Sequence, residues 1–369
     1  MGKPNGRLAI FVPSLAGGGA QRATIKLAQG LAERGHAVEL VLARAEGPLL
    51  SEVPETVRIV DLGAPRVAMS IPALVRYLRG ARPVAMLAVM NYANIVAIWA
   101  RRLAGASTRL VVSERTTLSC SVRGAPSRRN RLLPMLVRRY YPWADSVVAV
   151  SNGVADDLAQ LTTIPREDIR VIYNPIVTPD LREKAKAPLI DSWFGASQPP
   201  VLLGVGRLDP AKDFQTLIRA FAAVRKRHRA RLLILGEGRE RPALESLVTN
   251  LGVQEDVRIS GFVANPYPYM VQASLFVLSS RWEGLPGVLV EALFCGTPVV
   301  ATDCQSGPRE ILADGKYGQL VSVGDVAALA ESIVKCLNGK IAAPSPSSWL
   351  PFEADRVVDQ YTALLLGTE

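Results

Sequence analysis

Apolar residues fall into two alternating patterns along this chain. Unbroken apolar-rich runs at 8–12, 37–43, 57–60, 84–89, 110–112 and 146–150 are separated by longer stretches with helix-like spacing. Short solid runs predict strands covered on both faces, and a 3.6-residue period predicts helices lying against them. Their alternation predicts β/α units built on a parallel sheet. A further run at 170–173 ends in Asn174 and Pro175, after which periodicity lapses and prolines stand at 175, 179, 188, 199 and 200. Such a stretch predicts an interdomain linker and a natural hinge. The alternation resumes with strands at 201–205, 232–236, 257–260 and 298–301, a helix over 213–227 and a last helix over 352–366. The expected organisation is one domain over 1–174, a linker over 175–199, a second domain over 200–350 and a terminal segment over 351–369.

One stretch raises the question of a membrane span. Residues 83–100 carry no charge and are flanked by Arg82 and by Arg101 and Arg102, which is long enough to cross a bilayer. Pro83 and the polar Asn91 and Asn94 divide it instead into a strand at 84–89 and a helix capped near 91–94. At the N-terminus, residues 1–7 run straight into the first strand without an apolar leader region, so no secretion signal is expected.

Composition narrows the chemistry. At 369 residues and 49% hydrophobic content the chain can fill two ordinary cores. Cys120, Cys295, Cys304 and Cys336 form no CxxC pair, which fits reduced thiols in a cytoplasmic protein. His36 and His228 are the only histidines, too few for a His-rich metal site. His36, in the turn after the first helix, reads as structural. The net charge of +10 is uneven: residues 1–180 hold 23 Lys and Arg against 13 Asp and Glu, and the remainder balances at 20 against 20. Ten arginines and one acid, Glu114, fall within 101–139, and residues 128–143 interleave arginine with Leu, Met, Tyr and Trp. This composition suits the interface of an anionic membrane. An amphipathic helix packed on its own domain with a solvated basic face is the other reading. Nucleic acid is disfavoured, since no binding motif accompanies the charge.

Candidate chemistry sits where strands end. Gly17, Gly18 and Gly19 join the first strand to the first helix, a turn that lets backbone approach a phosphate. Its spacing is not G-x-G-x-x-G, and no acid stands convincingly at the end of the next strand, so a dinucleotide is disfavoured. Ser113, Glu114, Arg115 and Thr116 follow the strand at 110–112, at the edge where ligands bind in open α/β sheets. Glu114 is either a group that orients a substrate or an ion-pair partner of an arginine. Arg207 and Lys212 flank the turn after the strand at 201–205, a planar fork and a mobile point charge suited to a diphosphate. Finally, Glu283 and Glu291 are separated by seven residues. Gly284, Leu285, Pro286, Gly287 and Val288 lie between them, a Pro/Gly turn opening a helix whose first N–H groups point outward. A second such turn, Ser306-Gly307-Pro308-Arg309-Glu310-Ile311, follows the strand at 298–301. Two turns in succession suit a nucleotide sugar.

The run from Glu283 to Ala301 resembles the donor-binding signature of family 4 retaining glycosyltransferases, E-G-x-P-x-x-x-x-E-A-x-x-x-G-x-P-V-V-A. The SGPREIL run is similar to the bacterial branch that builds capsule, lipopolysaccharide and lipid-linked glycans. The resemblance covers nearly the whole chain. It implies a GT-B architecture, α/β, with two Rossmann-like domains facing across a nucleotide-sugar cleft and a final helix crossing back to the first domain. It implies transfer of a hexose or N-acetylhexosamine from a UDP-sugar, with retention, to a lipid-linked saccharide at the cytoplasmic membrane face, without metal or other cofactor. Implied donor contacts are Gly18, Gly19, Arg207, Lys212, Phe262, Val263, Glu283, Gly284, Leu285, Pro286, Gly287, Val288 and Glu291. Arg207, Lys212, Glu283 and Glu114 are the implied catalytic set. The branch often has Asn after E-G-L-P where this chain has Gly287. A UDP-sugar epimerase of the same fold, a transferase with a soluble acceptor and a non-catalytic UDP-sugar sensor are the alternatives.

Overall fold

The computed structural model describes residues 6–120, 128–339 and 344–368, with the side chains of 128–131 excepted. The chain divides into two compact units, Met1–Ile176 with Phe352–Glu369, and Val177–Pro351. Both are parallel-sheet α/β domains.

In unit 1 the strands are β1 (Leu8–Val12), β2 (Val38–Leu42), β3 (Arg58–Asp61), β4 (Ala85–Val89), β5 (Arg109–Glu114), β6 (Ser146–Ala149) and β7 (Ile169–Val171), ordered β3-β2-β1-β4-β5-β6-β7. Every pairing is parallel, with Ile10 opposite Leu40 on one side and Leu87 on the other. The solid apolar runs are buried along their whole length in β1, β2 and β4, as helices on both faces require. The stretch at 83–100 resolves into β4 and the helix Asn91–Ala104. Among the described residues no helix is long and apolar enough to cross a membrane.

The last helix, Ala354–Leu366, belongs to unit 1. Val357, Val358, Tyr361, Leu364 and Leu365 join its core. Gly30 on the helix Gly19–Glu33 makes this packing possible, since a Cβ there would lie 2.6 Å from a Val358 methyl. Arg34 then clips the outer edge through Asp355 and Asp359.

Unit 2 has β8 (Val201–Val205), β9 (Arg231–Leu235), β10 (Val257–Ile259), β11 (Leu275–Leu278), β12 (Val299–Thr302) and β13 (Gln319–Val321), ordered β10-β9-β8-β11-β12-β13. Within the stretch expected to be linker, Pro179–Ala185 is helical, with Pro179 at its first position. Asn265 donates to the Lys184 carbonyl at 2.9 Å, tying that helix into unit 2.

Both sheets reverse their order once, between β1 and β4 and between β8 and β11. At such a reversal the connections leave toward opposite faces and open a crevice at the carboxyl ends of the strands. The loops after β8 and β11 are therefore where a ligand site is expected in unit 2, and the glycine turn after β1 holds the equivalent place in unit 1.

Candidate functional site

The turn after β8 is held backbone to backbone. A Cβ on Gly236 would lie 1.8 Å from the Gly206 carbonyl oxygen, and one on Gly238 2.3 Å from that of Leu208. Only glycine allows loops to approach this closely. Leu208, fully buried, anchors the turn. Arg207 is thereby directed outward, its side chain 73% exposed, with Asp209 at 3.2 Å. Lys212 turns inward: 19% exposed, it places Nζ 2.5 Å from Oε1 of Glu283, itself 12% exposed. Asp213 follows in the left-handed region at φ 47° and caps the helix Phe214–Arg225 through Thr216.

The loop after β11 is laced to that turn. Ser279 donates to the Lys212 carbonyl at 2.8 Å, the Arg281 amide donates to the Ala211 carbonyl at 2.7 Å, and the Arg281 guanidinium pairs with the buried Asp213 at 2.9 Å. Ser280 donates to Glu283 Oε1 at 2.6 Å, the oxygen that Lys212 also reaches. Thr302 at the end of β12, fully buried, donates to the Ser280 carbonyl at 2.6 Å. Both residues of the Lys212–Glu283 pair are thus fixed by the chain around them. Ser279, Ser280, Arg281, Asp213 and Thr302 are parts that sequence reasoning missed. The signal available was the Ser-Ser pair directly after an apolar strand.

Glu283 precedes the helix Gly287–Phe294, which Pro286 opens and no side chain caps. Its first N–H groups have no intrahelical partner and stand beside Glu283 in sequence. Gly284, Leu285 and Pro286 are buried, Gly287 and Val288 half-buried. The second Pro/Gly turn locks the first: Ser306 donates to the Gly284 carbonyl at 2.8 Å, and a Cβ on Gly307, at φ +94°, would lie 2.4 Å from Pro286 Cδ. Glu291 lies one turn into the helix and accepts from the Tyr267 hydroxyl at 3.3 Å, a partner the sequence did not suggest. Phe262, 65% exposed, and the half-buried Val263 follow β10.

In unit 1, Gly17 and Gly18 hold φ values of 108° and 125°, and Gly18 precedes the helix Gly19–Glu33 without a side-chain cap. A Cβ would meet nothing within 4 Å at Gly17 or Gly19. The backbone conformation, not crowding, selects glycine at 17 and 18.

Glu114 lies in the interior of unit 1, 1% exposed. Tyr141 donates to one oxygen at 2.9 Å; the Arg115 amide, at 3.0 Å, and Thr116 donate to the other. The Arg115 guanidinium bonds Asn174 instead, and among the described residues Glu114 has no ion pair with an arginine. Burial pushes the Glu114 carboxyl up to about 7, against the Tyr141 and backbone hydrogen bonds that favour its charged form. A carboxyl raised in the folded state holds its proton there while the unfolded chain has lost it, so stability falls as pH rises from about 4.5 to about 7. Glu114→Gln is expected to flatten that dependence, read as the melting temperature of unit 1 across this window. An unchanged slope would remove Glu114 as its source.

Residues 17–179 match the family described as Glycosyltransferase Family 4, and residues 199–339 match Glycosyl transferases group 1. An N-acetylgalactosamine-N,N'-diacetylbacillosaminyl-diphospho-undecaprenol 4-alpha-N-acetylgalactosaminyltransferase of Campylobacter jejuni is 32% identical over 343 residues, 90% of either chain. A second protein of that organism, named for α-1,4-N-acetyl-D-galactosaminyl transfer to GalNAc-alpha-(1->4)-GalNAc-alpha-(1->3)-diNAcBac-PP-undecaprenol, is 25% identical over 90% of this chain and 89% of its own. Among solved structures, Anabaena HepE in complex with UDP and glucose superposes with a TM-score of 0.78 at 23% identity, covering 99% of this chain and all of that one. Two parallel-sheet domains of GT-B type, matched in order by the two domain families and by a relative over nine-tenths of its length, place this chain in glycosyltransferase family 4.

Proposed function

We propose that the protein transfers a hexose or N-acetylhexosamine from a UDP-sugar to a lipid-linked saccharide at the cytoplasmic membrane face, with retention at the anomeric carbon. The observation that carries this reading is the Lys212–Glu283 pair at the β8/β11 reversal, with Arg207 on the same turn and an uncapped helix end just after Glu283. Lys212, Arg207 and the N–H groups opening the helix Gly287–Phe294 bind the diphosphate and stabilise the charge it gains on leaving. Glu283 accepts from the sugar hydroxyls and Glu291 from the ribose, with Phe262 and Val263 beside the base. In unit 1, Gly18 and Gly19 open a helix whose first N–H groups suit a phosphate. Glu114 acts by fixing Arg115 and Thr116, whose amide and hydroxyl its carboxyl holds.

In the reaction the bond from the anomeric carbon to the diphosphate oxygen breaks, and the acceptor hydroxyl oxygen bonds to that carbon on the same face. The acceptor proton passes to a donor phosphate oxygen, leaving UDP and the new glycoside. The acceptor follows the Campylobacter relatives, whose names place their substrates on diphospho-undecaprenol. The nucleotide follows the Anabaena neighbour.

The test is transfer from UDP-glucose, UDP-galactose and their N-acetyl counterparts to an undecaprenyl-diphosphate-linked saccharide, with the product's anomeric configuration read by NMR. An inverted product overturns retention. Interconversion of the donors without acceptor would replace the reading by an epimerase. Because Arg207 and Lys212 supply the positive charge that a divalent ion supplies elsewhere, activity is expected to survive EDTA. Strict restoration by manganese would contradict this site.

A further inference from the structure

Unit 1 carries a surface at the end remote from the carboxyl edge of its sheet. The helix Asn91–Ala104 begins just past the C-terminal end of β4, so its last turn lies toward the opposite edge. There Arg102 stacks on the indole of Trp143 at 4.7 Å, and Arg139, from the helix Arg128–Tyr140, stacks on the same ring at 4.9 Å. Trp99 and Tyr140 pack edge-on against Trp143 at 5.7 and 5.1 Å and hold it in place. Arg101 is already paired with Asp145. Among the described residues neither Arg102 nor Arg139 has an ion-pair partner, and the one acid within 101–139, Glu114, is buried.

Beside these arginines, large apolar side chains face water: Leu103, Leu132 and Met135, the last 63% exposed. Leu132, Met135 and Arg139 recur at i, i+3 and i+7, and Trp99 and Leu103 at i and i+4. Each helix therefore contributes one stripe, and the stripes meet at the aromatic cluster. A guanidinium held over an indole face is positioned by the ring while its N–H donors can still reach the oxygens of a phosphate. Fixed cations with exposed aliphatics at helical spacing match the boundary between lipid headgroups and acyl chains.

We propose that this surface docks the protein on an anionic bilayer, with Arg102 and Arg139 on lipid phosphates and Leu132 and Met135 dipping toward the acyl chains. The inference rests on the proposed function to the extent that a lipid-linked acceptor must be met at a membrane. It uses described side chains; those of Arg128, Arg129 and Arg131, also part of the basic stretch, lie outside the described residues.

Flotation with phosphatidylcholine vesicles, with and without phosphatidylglycerol, tests it. The wild type is expected to float with the anionic vesicles alone, and less so as salt rises. At roughly fivefold per arginine near an anionic leaflet, R102E/R139E is expected to weaken partitioning by at least about twentyfold. L132Q/M135Q should also weaken it, at unchanged charge. R219E/R239E, an equal charge change on exposed arginines of unit 2, should float like the wild type. R102Q/R139Q stands in if charge reversal impairs folding. Equal loss in R219E/R239E would reduce the effect to net charge and overturn the proposal, as would a wild type that ignores anionic vesicles at low salt or an L132Q/M135Q that floats unchanged. Transfer to a short-chain, water-soluble acceptor separates the two readings. Transfer without flotation removes this surface and leaves the function, whereas flotation without transfer does the reverse.

Discussion

Lys212→Ala is expected to lower turnover by about a hundredfold, and Arg207→Ala by about tenfold, both with the fold retained. A charge-assisted contact is worth about 1.5–3 kcal/mol, and each 1.36 kcal/mol of lost transition-state stabilisation is about tenfold in rate. The structure separates the two residues. Arg207 reaches outward from its turn with Asp209 as its neighbour, and in the proposed site its loss would remove one phosphate contact. Lys212 holds Glu283 at 2.5 Å and is also assigned to the phosphates in the proposed site, so its loss would remove a contact and release the carboxylate assigned to the sugar. Glu283 would keep Ser280 at 2.6 Å but not its counter-charge. A double-mutant cycle should therefore show Lys212→Ala and Glu283→Ala to be far from additive, while Arg207→Ala adds nearly in full to Glu283→Ala. The measurement is steady-state kinetics of the three single and two double variants, with thermal melting as the folding control. Near-normal turnover in both single variants would sink the phosphate assignment.

Much of the fold around the candidate site was legible in the sequence. The solid apolar runs at 8–12 and 201–205 declare strands covered on both faces, because a parallel sheet leaves no polar side to alternate with. Glycines at 17–18 and at 307 mark turns in the sequence, and the structure gives them positive φ. The pairings were not readable. Lys212 and Glu283 stand 71 residues apart, and they meet because β11 returns to lie beside β8 after two strands have been laid on the other side. Local periodicity contains no term for that adjacency. Ser280 and Thr302 were missed for the same reason, since a hydroxyl at a strand end is unremarkable until the strand next to it is known. Glu114 shows the converse. Its position past a strand pointed to the ligand edge, yet Tyr141, brought under it by the helix Arg128–Tyr140, draws the carboxylate into the core. Direction at a strand end is set by what packs beneath, and sequence does not display it.

The two glutamates are expected to fail in different ways. Glu291, on the helix and bonded to Tyr267 at 3.3 Å, is assigned to the ribose, which free UDP and UDP-sugar share. Glu291→Ala should therefore weaken both by about tenfold to a hundredfold, the loss of one charge-assisted contact. Glu283 is assigned to the sugar, which free UDP lacks. Its removal also leaves Lys212 without the carboxylate that holds it, and an ammonium so released can turn wholly to the diphosphate. Glu283→Ala is thus expected to bind free UDP as well as the wild type or more tightly, while transfer falls by at least about a hundredfold. Glu283→Gln, which keeps an acceptor for Ser280 but not the charge, should lie between them in transfer and resemble Glu283→Ala in UDP affinity. Titration calorimetry with UDP and with the donor sugar reads all three variants. Equal losses of free UDP in Glu283→Ala and Glu291→Ala would reject the division, because the Glu283 carboxylate would then be contributing to the nucleotide site and Lys212 would not be limited by it.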